Sequence, residues 1–281
     1  MWKRQIIKTD RGTFEIFRKG QGAPLCVTHH YSVFNESGDY FAESFTDTHE
    51  VFLMNLRECG ESEKANESYH LSMLETVFDL ESIRKALEIE KWVYAGHSTG
   101  GMLGVIYGIY FSDSLLFNVI VGAAARDYFT FSKQCIYHSE HPKYEKMQML
   151  LSHLMRPELS QKEKEMLKVE RTKLSLYRPE NHDEYFSKNI SKQISAKRLE
   201  FFNREVQIFD VTKKLKLITC PVLIICGEHD VQCPIEYSLE MHELIPNSKF
   251  LGMNYSNHYP FLEEAALFKK EVFNFVTQLG A

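Results

Sequence analysis

Ser98 stands in Gly96-His97-Ser98-Thr99-Gly100, a Gly-x-Ser-x-Gly pattern with an apolar run before it and a helical pattern after it. A hydroxyl is a weak nucleophile. It needs a base to take its proton and a third group to orient that base. A strand–turn–helix around such a serine holds the hydroxyl on a strained bend, and the flanking glycines let the backbone turn tightly. The following helix would set its N-terminal amides and the positive end of its dipole beside the serine oxygen, where an oxyanion develops in acyl transfer. Ser98 is therefore read as a nucleophile. Two other glycine-rich readings fail. No Gly-Lys-Ser/Thr follows, as a phosphate loop requires, and Gly96, Gly100, Gly101 and Gly104 do not give Gly-x-Gly-x-x-Gly.

Folds with this elbow supply serine, acid and histidine in that chain order. In Pro221-Val222-Leu223-Ile224-Ile225-Cys226-Gly227-Glu228-His229-Asp230 an apolar strand stops at a glycine and delivers two acids, Glu228 and Asp230. Open parallel sheets build their sites at that end of the strands. An Asp ahead of a helix opening near Pro234 is also an ordinary cap. The base candidate is His258, between a last apolar strand and Pro260, which opens a terminal helix. His229 adjoins the acids, His242 lies inside a helical pattern and His97 is locked in the elbow, so these three read as structural or exposed.

The elements that must hold these groups follow from periodicity. Residues 5–9 and 13–18 read as an antiparallel pair about Asp10-Arg11-Gly12, and 24–28 and 51–56 as strands with a candidate helix at 39–45 between them. Residues 69–87 carry Leu71, Leu74, Val77 and Phe78 on one helical stripe. Then come strand 91–95, helix 101–112 and strand 116–122, and from 221 the alternation resumes. The 101–112 helix is apolar nearly all round, so it should be buried. Strands alternating with helices predict an α/β fold with a mostly parallel, doubly wound sheet. Between 123 and 210 the alternation stops, and no clear strand appears among its Lys, Glu, Tyr, Phe and Met residues.

The chain resembles the α/β-hydrolase fold family over nearly its whole length. Leu25-Cys26-Val27-Thr28-His29-His30-Tyr31, Asn55-Leu56-Arg57-Glu58-Cys59-Gly60-Glu61-Ser62, the elbow, and the Asp230 and His258 segments carry the resemblance. It implies an eight-stranded sheet, a core of residues 1–122 and 211–281, and a helical cap, 123–210, inserted after the sixth strand. It favours Asp230 over Glu228, through its Gly-x-x-Asp placement, as the third member beside Ser98 and His258. The family usually reads His-Gly after its third strand, where this chain has His29-His30. Residue by residue, the backbone N–H groups of Tyr31 and Thr99 would form the oxyanion hole. His30, His97, Tyr128, Phe129 and Tyr137 are the candidate pocket residues.

The 281 residues are 44% hydrophobic and 25% charged, with net charge −5, so nothing points to nucleic-acid or anionic-membrane binding, and neither is expected. Six cysteines show no C-x-x-C pair and no metal spacing, so no metal or cofactor is called for. The first residues lack the apolar core of a signal peptide, and the cysteine pattern fits a reducing cytoplasm. The expected partner is a small-molecule substrate, and a homodimer is compatible with the chain. Dehalogenases and epoxide hydrolases of this fold carry aspartate at the elbow, so Ser98 points instead to acyl-enzyme hydrolysis of a carboxylic ester, thioester or lactone, or to carbon–carbon cleavage of diketone acids. Tyr137 and Asn257-His258-Tyr259-Pro260 also resemble proline iminopeptidases, which makes an aminopeptidase or amidase the alternative, with Glu140 and Glu145 as candidate amine ligands. Those enzymes typically read Gly-Gly-Ser-Trp-Gly at the elbow, from which this chain departs twice. A non-catalytic small-molecule receptor on the same fold is the alternative of another class.

Overall fold

The computed structural model describes residues 1–279. Its main sheet has eight strands: β1 Lys3–Thr9, β2 Gly12–Lys19, β3 Ala23–Val27, β4 His49–Met54, β5 Trp92–His97, β6 Leu115–Val121, β7 Val222–Gly227 and β8 Ser248–Met253. Their spatial order is β1-β2-β4-β3-β5-β6-β7-β8. Only the β1–β2 and β2–β4 pairings are antiparallel, so the sheet is mostly parallel, as the alternation predicts. Side chains alternate between faces. Trp92, Tyr94, Ile120 and Ile224 enter one core with helix α1 (Met73–Ala86) and helix α2 (Thr99–Phe111). Val93, Ala95, Val119, Val121 and Ile225 enter the other, with Phe268, Val272 and Phe275 of the terminal helix. Burial on both faces is why these strands read as unbroken apolar runs.

Parallel pairing brings the exits of the parallel strands to one edge. His97 pairs with Val121, Val121 with Ile225, and Gly227 with Met253. Ser98, Gly122, Asp230 and His258 all follow within five residues of those exits. Helix α2 is buried through Gly108, but its last turn surfaces at Tyr110.

The 123–210 segment leaves and returns at one point. Arg126 and Asp210 form an isolated antiparallel bridge, Asp127 N donates to Phe209 O (2.9 Å), and Val211 N donates to Ala125 O (2.8 Å). Between them run α3 (Tyr144–Leu154), α4 (Gln161–Lys173) and α5 (Ala196–Glu205). One short strand departs from the strandless expectation. Gln193–Ile194 pairs antiparallel with Ser32–Val33, just past β3. Ser195 N adds a bond to Tyr31 O (2.9 Å), so the insertion is hydrogen-bonded to the segment that carries His29, His30 and Tyr31. Pairing across so great a sequence separation leaves no local signature. Among the described residues no helix is long and apolar enough to cross a membrane.

Candidate active site

Ser98 has φ 56° and ψ −125°, a conformation that costs a non-glycine residue on the order of 1–3 kcal/mol. The surroundings impose it. Ser98 N donates to Val121 O (2.9 Å), and Ser98 O accepts from Gly101 N (2.8 Å). The elbow glycines are required by close approach. A Cβ on Gly96 would lie 2.1 Å from Gly100 O, and one on Gly100 would lie 2.3 Å from Thr28 O. Ser98 Oγ makes no hydrogen bond among the described residues, and the residue is partly exposed.

Asp230 and His258 come together at the same edge. His258 Nδ1 donates to Asp230 Oδ2 (2.8 Å), and both side chains are buried. The other oxygen, Oδ1, accepts from Gln232 N (2.8 Å) and Cys233 N (2.9 Å), so Asp230 also caps the turn ahead of helix α6 (Ile235–Leu244). Cap and histidine partner are thus one residue. Glu228 is exposed and lies against Gly252. With Nδ1 committed as donor, His258 Nε2 is the nitrogen left free to accept a proton. His97, expected as a pocket residue, instead supports this loop. Its Nε2 donates to His258 O (2.7 Å), and its ring packs 4.5 Å from that of His258.

The segment after β3 faces the elbow. Thr99 Oγ1 accepts from His30 N (3.3 Å), so its hydroxyl donates to His29 Nε2 (3.1 Å), and His29 Nδ1 donates to Ser32 Oγ (2.9 Å). The amide N–H of Thr99 is the first of α2 and has no partner within the helix. The amide N–H of Tyr31 donates to nothing among the described residues. His30 is not in the left-handed region, so no glycine is needed there. Its ring does not line the pocket, as the sequence led one to expect it would, but is fully buried and turned toward Phe202 and Arg198. Burial, and then the charge of Arg198, hold His30 well below the usual imidazole range.

Tyr128 also departs from the pocket expectation. It packs in the core against Tyr237 (5.9 Å between centroids) and is 5% exposed. Phe129 and Tyr137 belong to a run of rings that leads through Phe202 to Tyr31. Their rings are 5.1 Å apart, Phe129 lies 6.3 Å from Phe202, and Phe202 lies 5.6 Å from Tyr31. The Tyr137 hydroxyl donates to Gln232 Oε1 (2.9 Å), next to the Asp230 turn. Glu140 and Glu145 are exposed, and Glu140 pairs with Lys133 (2.7 Å). A cleft of about 550 Å³ opens behind the Asp230 loop, but Ser98 does not line it. All six cysteines are free and buried, and burial pushes their thiols up, Cys59 to about 11 and Cys135 to about 12, so none offers a ready thiolate.

Three groups escaped the sequence reading. Gly122 has φ 52°, and a Cβ there would lie 2.9 Å from Asp230 Oδ2. Arg198, on α5, is completely buried beneath the His30–Tyr31 peptide. Glu205, at the end of α5, puts Oε2 3.7 Å from His30 Nε2, and burial raises its carboxyl to about 7. Only the glycine carried a signal, standing where an apolar run ends.

Comparison with known proteins adds four observations. A family model described as "alpha/beta hydrolase fold" matches residues 27–265. The structure of an alpha/beta fold family hydrolase from Bacillus anthracis str. Sterne is 41% identical, with TM-score 0.93 over 99% of both chains. A proline iminopeptidase from Heyndrickxia coagulans is 45% identical over 56 residues, 20% of this chain and 19% of that protein. A cis-3-alkyl-4-alkyloxetan-2-one decarboxylase from Shewanella oneidensis is 24% identical over 126 residues, 44% of this chain and 40% of that protein. The matches to these curated relatives thus span a fifth to two fifths of their length.

Proposed function

The chain belongs to the α/β-hydrolase fold family, and from that premise we propose that it is a serine hydrolase acting on a small carboxylic ester, thioester or lactone. The observation that carries the reading is the buried Asp230–His258 pair (2.8 Å) at the sheet edge where Ser98 occupies its strained elbow. Ser98 Oγ attacks the acyl carbonyl while His258 Nε2 takes its proton, and Asp230 stabilises the imidazolium that forms. The carbonyl oxygen becomes an alkoxide held by the Tyr31 and Thr99 amides. His258 returns the proton to the leaving oxygen or sulfur, and water then cleaves the acyl-enzyme by the same steps in reverse. Residues 123–210 act as a cap whose Phe129 and Tyr137 line the acyl site.

Similarity to a proline iminopeptidase supports an aminopeptidase as the second reading. Its substrate amine would need an acid, yet Glu140 and Glu145 face solvent. One charge that acts on the aromatic wall is a cation. Arg171 sits half-buried between Leu167 and Leu174 on one face of α4 and has no acid partner among the described residues. Burial raises the phenols of Tyr31 and Tyr137, and Arg171 pulls both back down. A positive group there favours neutral or acidic acyl substrates over amines.

Fluorophosphonate labelling of Ser98, followed by a panel of acyl esters, lactones and aminoacyl arylamides, tests the proposal. Wild type is expected to be labelled and to hydrolyse the esters or lactones fastest. Ser98→Ala should lose labelling and on the order of a million-fold in kcat while staying folded. A folded protein that resists labelling would instead favour a non-catalytic receptor.

A further inference from the structure

Arg198 has no exposed surface and no carboxylate within ion-pair distance among the described residues. An unpaired buried cation is costly and is kept only where its bonds do something. Each of its hydrogen-bonding partners is neutral. Nε donates to His30 O, Nη1 to Arg57 O (3.2 Å), and Nη2 to Thr76 Oγ1 (2.8 Å) and His30 Nδ1 (3.1 Å). The nearest acids are otherwise engaged. Asp79 is held by Arg57 (2.6 Å) and Arg11 (2.7 Å), and Glu205 accepts from Met73 N (3.0 Å).

The His30 carbonyl belongs to the same peptide unit as the Tyr31 N–H. No peptide in the described chain is cis, so the two point in opposite directions. Fixing the carbonyl toward Arg198 therefore aims the N–H away from it, and that N–H has no partner among the described residues. A charge-assisted bond to the carbonyl also polarises the peptide and makes its N–H a stronger donor. The guanidinium cannot accept, so His30 Nδ1 must, and this fixes the ring as well as the peptide.

We propose that Arg198, reaching from helix α5 of the insertion into the core, is a positioning residue that aims and polarises the Tyr31 N–H of the oxyanion hole. The proposal rests on the serine-hydrolase reading above. It makes the insertion part of the catalytic apparatus and not only a cover, because α5 holds one donor in place. The alternative role is inert adhesion between insertion and core.

The test compares wild type, Arg198→Met and Arg198→Lys on the best ester of the panel. It measures kcat, KM, inhibition by a trifluoromethyl ketone that forms a tetrahedral adduct at Ser98, and melting temperature. Arg198→Met is expected to lower kcat about a hundredfold, near the loss seen when an oxyanion donor is removed. KM should move less than about threefold, and the ketone should weaken in parallel with kcat. Arg198→Lys, which keeps one charged donor toward His30 O, should recover about tenfold of the loss. If Arg198→Met does not fold, Arg198→Lys and the ketone carry the test. Folded variants with wild-type kcat and ketone affinity overturn the proposal, as does a loss confined to KM. Wild type labelled at Ser98 with indifferent variants removes only the Arg198 assignment. Wild type that is neither labelled nor active removes the hydrolase reading and this inference with it.

Discussion

At the scale of single residues, the site depends on groups that touch no substrate. Gly122 is the clearest. It follows β6, takes φ 52°, and leaves room that a methyl group would close, 2.9 Å from Asp230 Oδ2 and 3.4 Å from His258 Nδ1. Gly122→Ala should therefore displace the Asp230–His258 pair. A shift of about 1 Å in a catalytic group can cost roughly a hundredfold, so kcat should fall by that order while KM holds. Steady-state kinetics on a folded variant checks this, and an unchanged kcat would show that the pair tolerates the intrusion. Ser98, His258 and the acids Glu228 and Asp230 stood out as candidates because strand ends, glycines and chain order are local signals, and the family resemblance then favoured Asp230. Arg198 was not. It sits in Ala196–Glu205 among Lys197, Glu200 and Arg204, a helix that reads as an ordinary charged surface. Only tertiary packing decides which of its cations turns inward.

At the scale of elements, the strand–helix alternation was legible throughout the core because the central parallel strands are buried on both faces. The insertion was legible only as a loss of that pattern. Its Gln193–Ile194 strand is too short to carry a period, and it pairs with Ser32–Val33 through contacts the sequence does not announce. The structure also divides the aromatic residues that were grouped as candidate pocket residues. Tyr128 belongs to the core, whereas Phe129 and Tyr137 adjoin Phe202 and Tyr31. Tyr128→Ala should cost roughly 3–5 kcal/mol of stability and leave the kcat/KM ratio for short and long acyl esters unchanged. Phe129→Ala and Tyr137→Ala should shift that ratio several-fold. Thermal melts alongside kinetics on both esters separate the two groups. A ratio indifferent to Phe129 and Tyr137 would remove the cap from substrate choice.

At the scale of the whole molecule, the polar groups beneath the oxyanion segment tie stability to pH. Glu205 faces His30 Nε2 at 3.7 Å, accepts from Met73 N, and lies in the field of Arg198. Burial wins over the Met73 bond and the Arg198 charge, and raises its carboxyl from 4.5 to about 7. Below pH 4.5 the group is protonated in both folded and unfolded chains and contributes nothing to the difference. Between there and about 7 the folded protein keeps a proton that the unfolded chain has released, so stability falls as pH rises. Across the full interval the loss is roughly 3 kcal/mol. Carboxylates such as Glu15, Glu43 and Glu58 act oppositely. Burial raises them, but Arg4 and Asn55, Lys19 and Trp2, and Lys197 respectively bring them lower on balance. Their contribution is present above the ordinary carboxylate range and disappears as pH falls, so wild-type stability alone mixes the two effects. Glu205→Gln removes one of them. Its stability relative to wild type should increase from pH 5 to about pH 7 and level off by pH 8, as read by urea unfolding at each pH. A difference that stays flat over that range would mean that Glu205 ionises in the folded protein as easily as in the unfolded chain, and that the space beneath His30 is wetter than its packing implies.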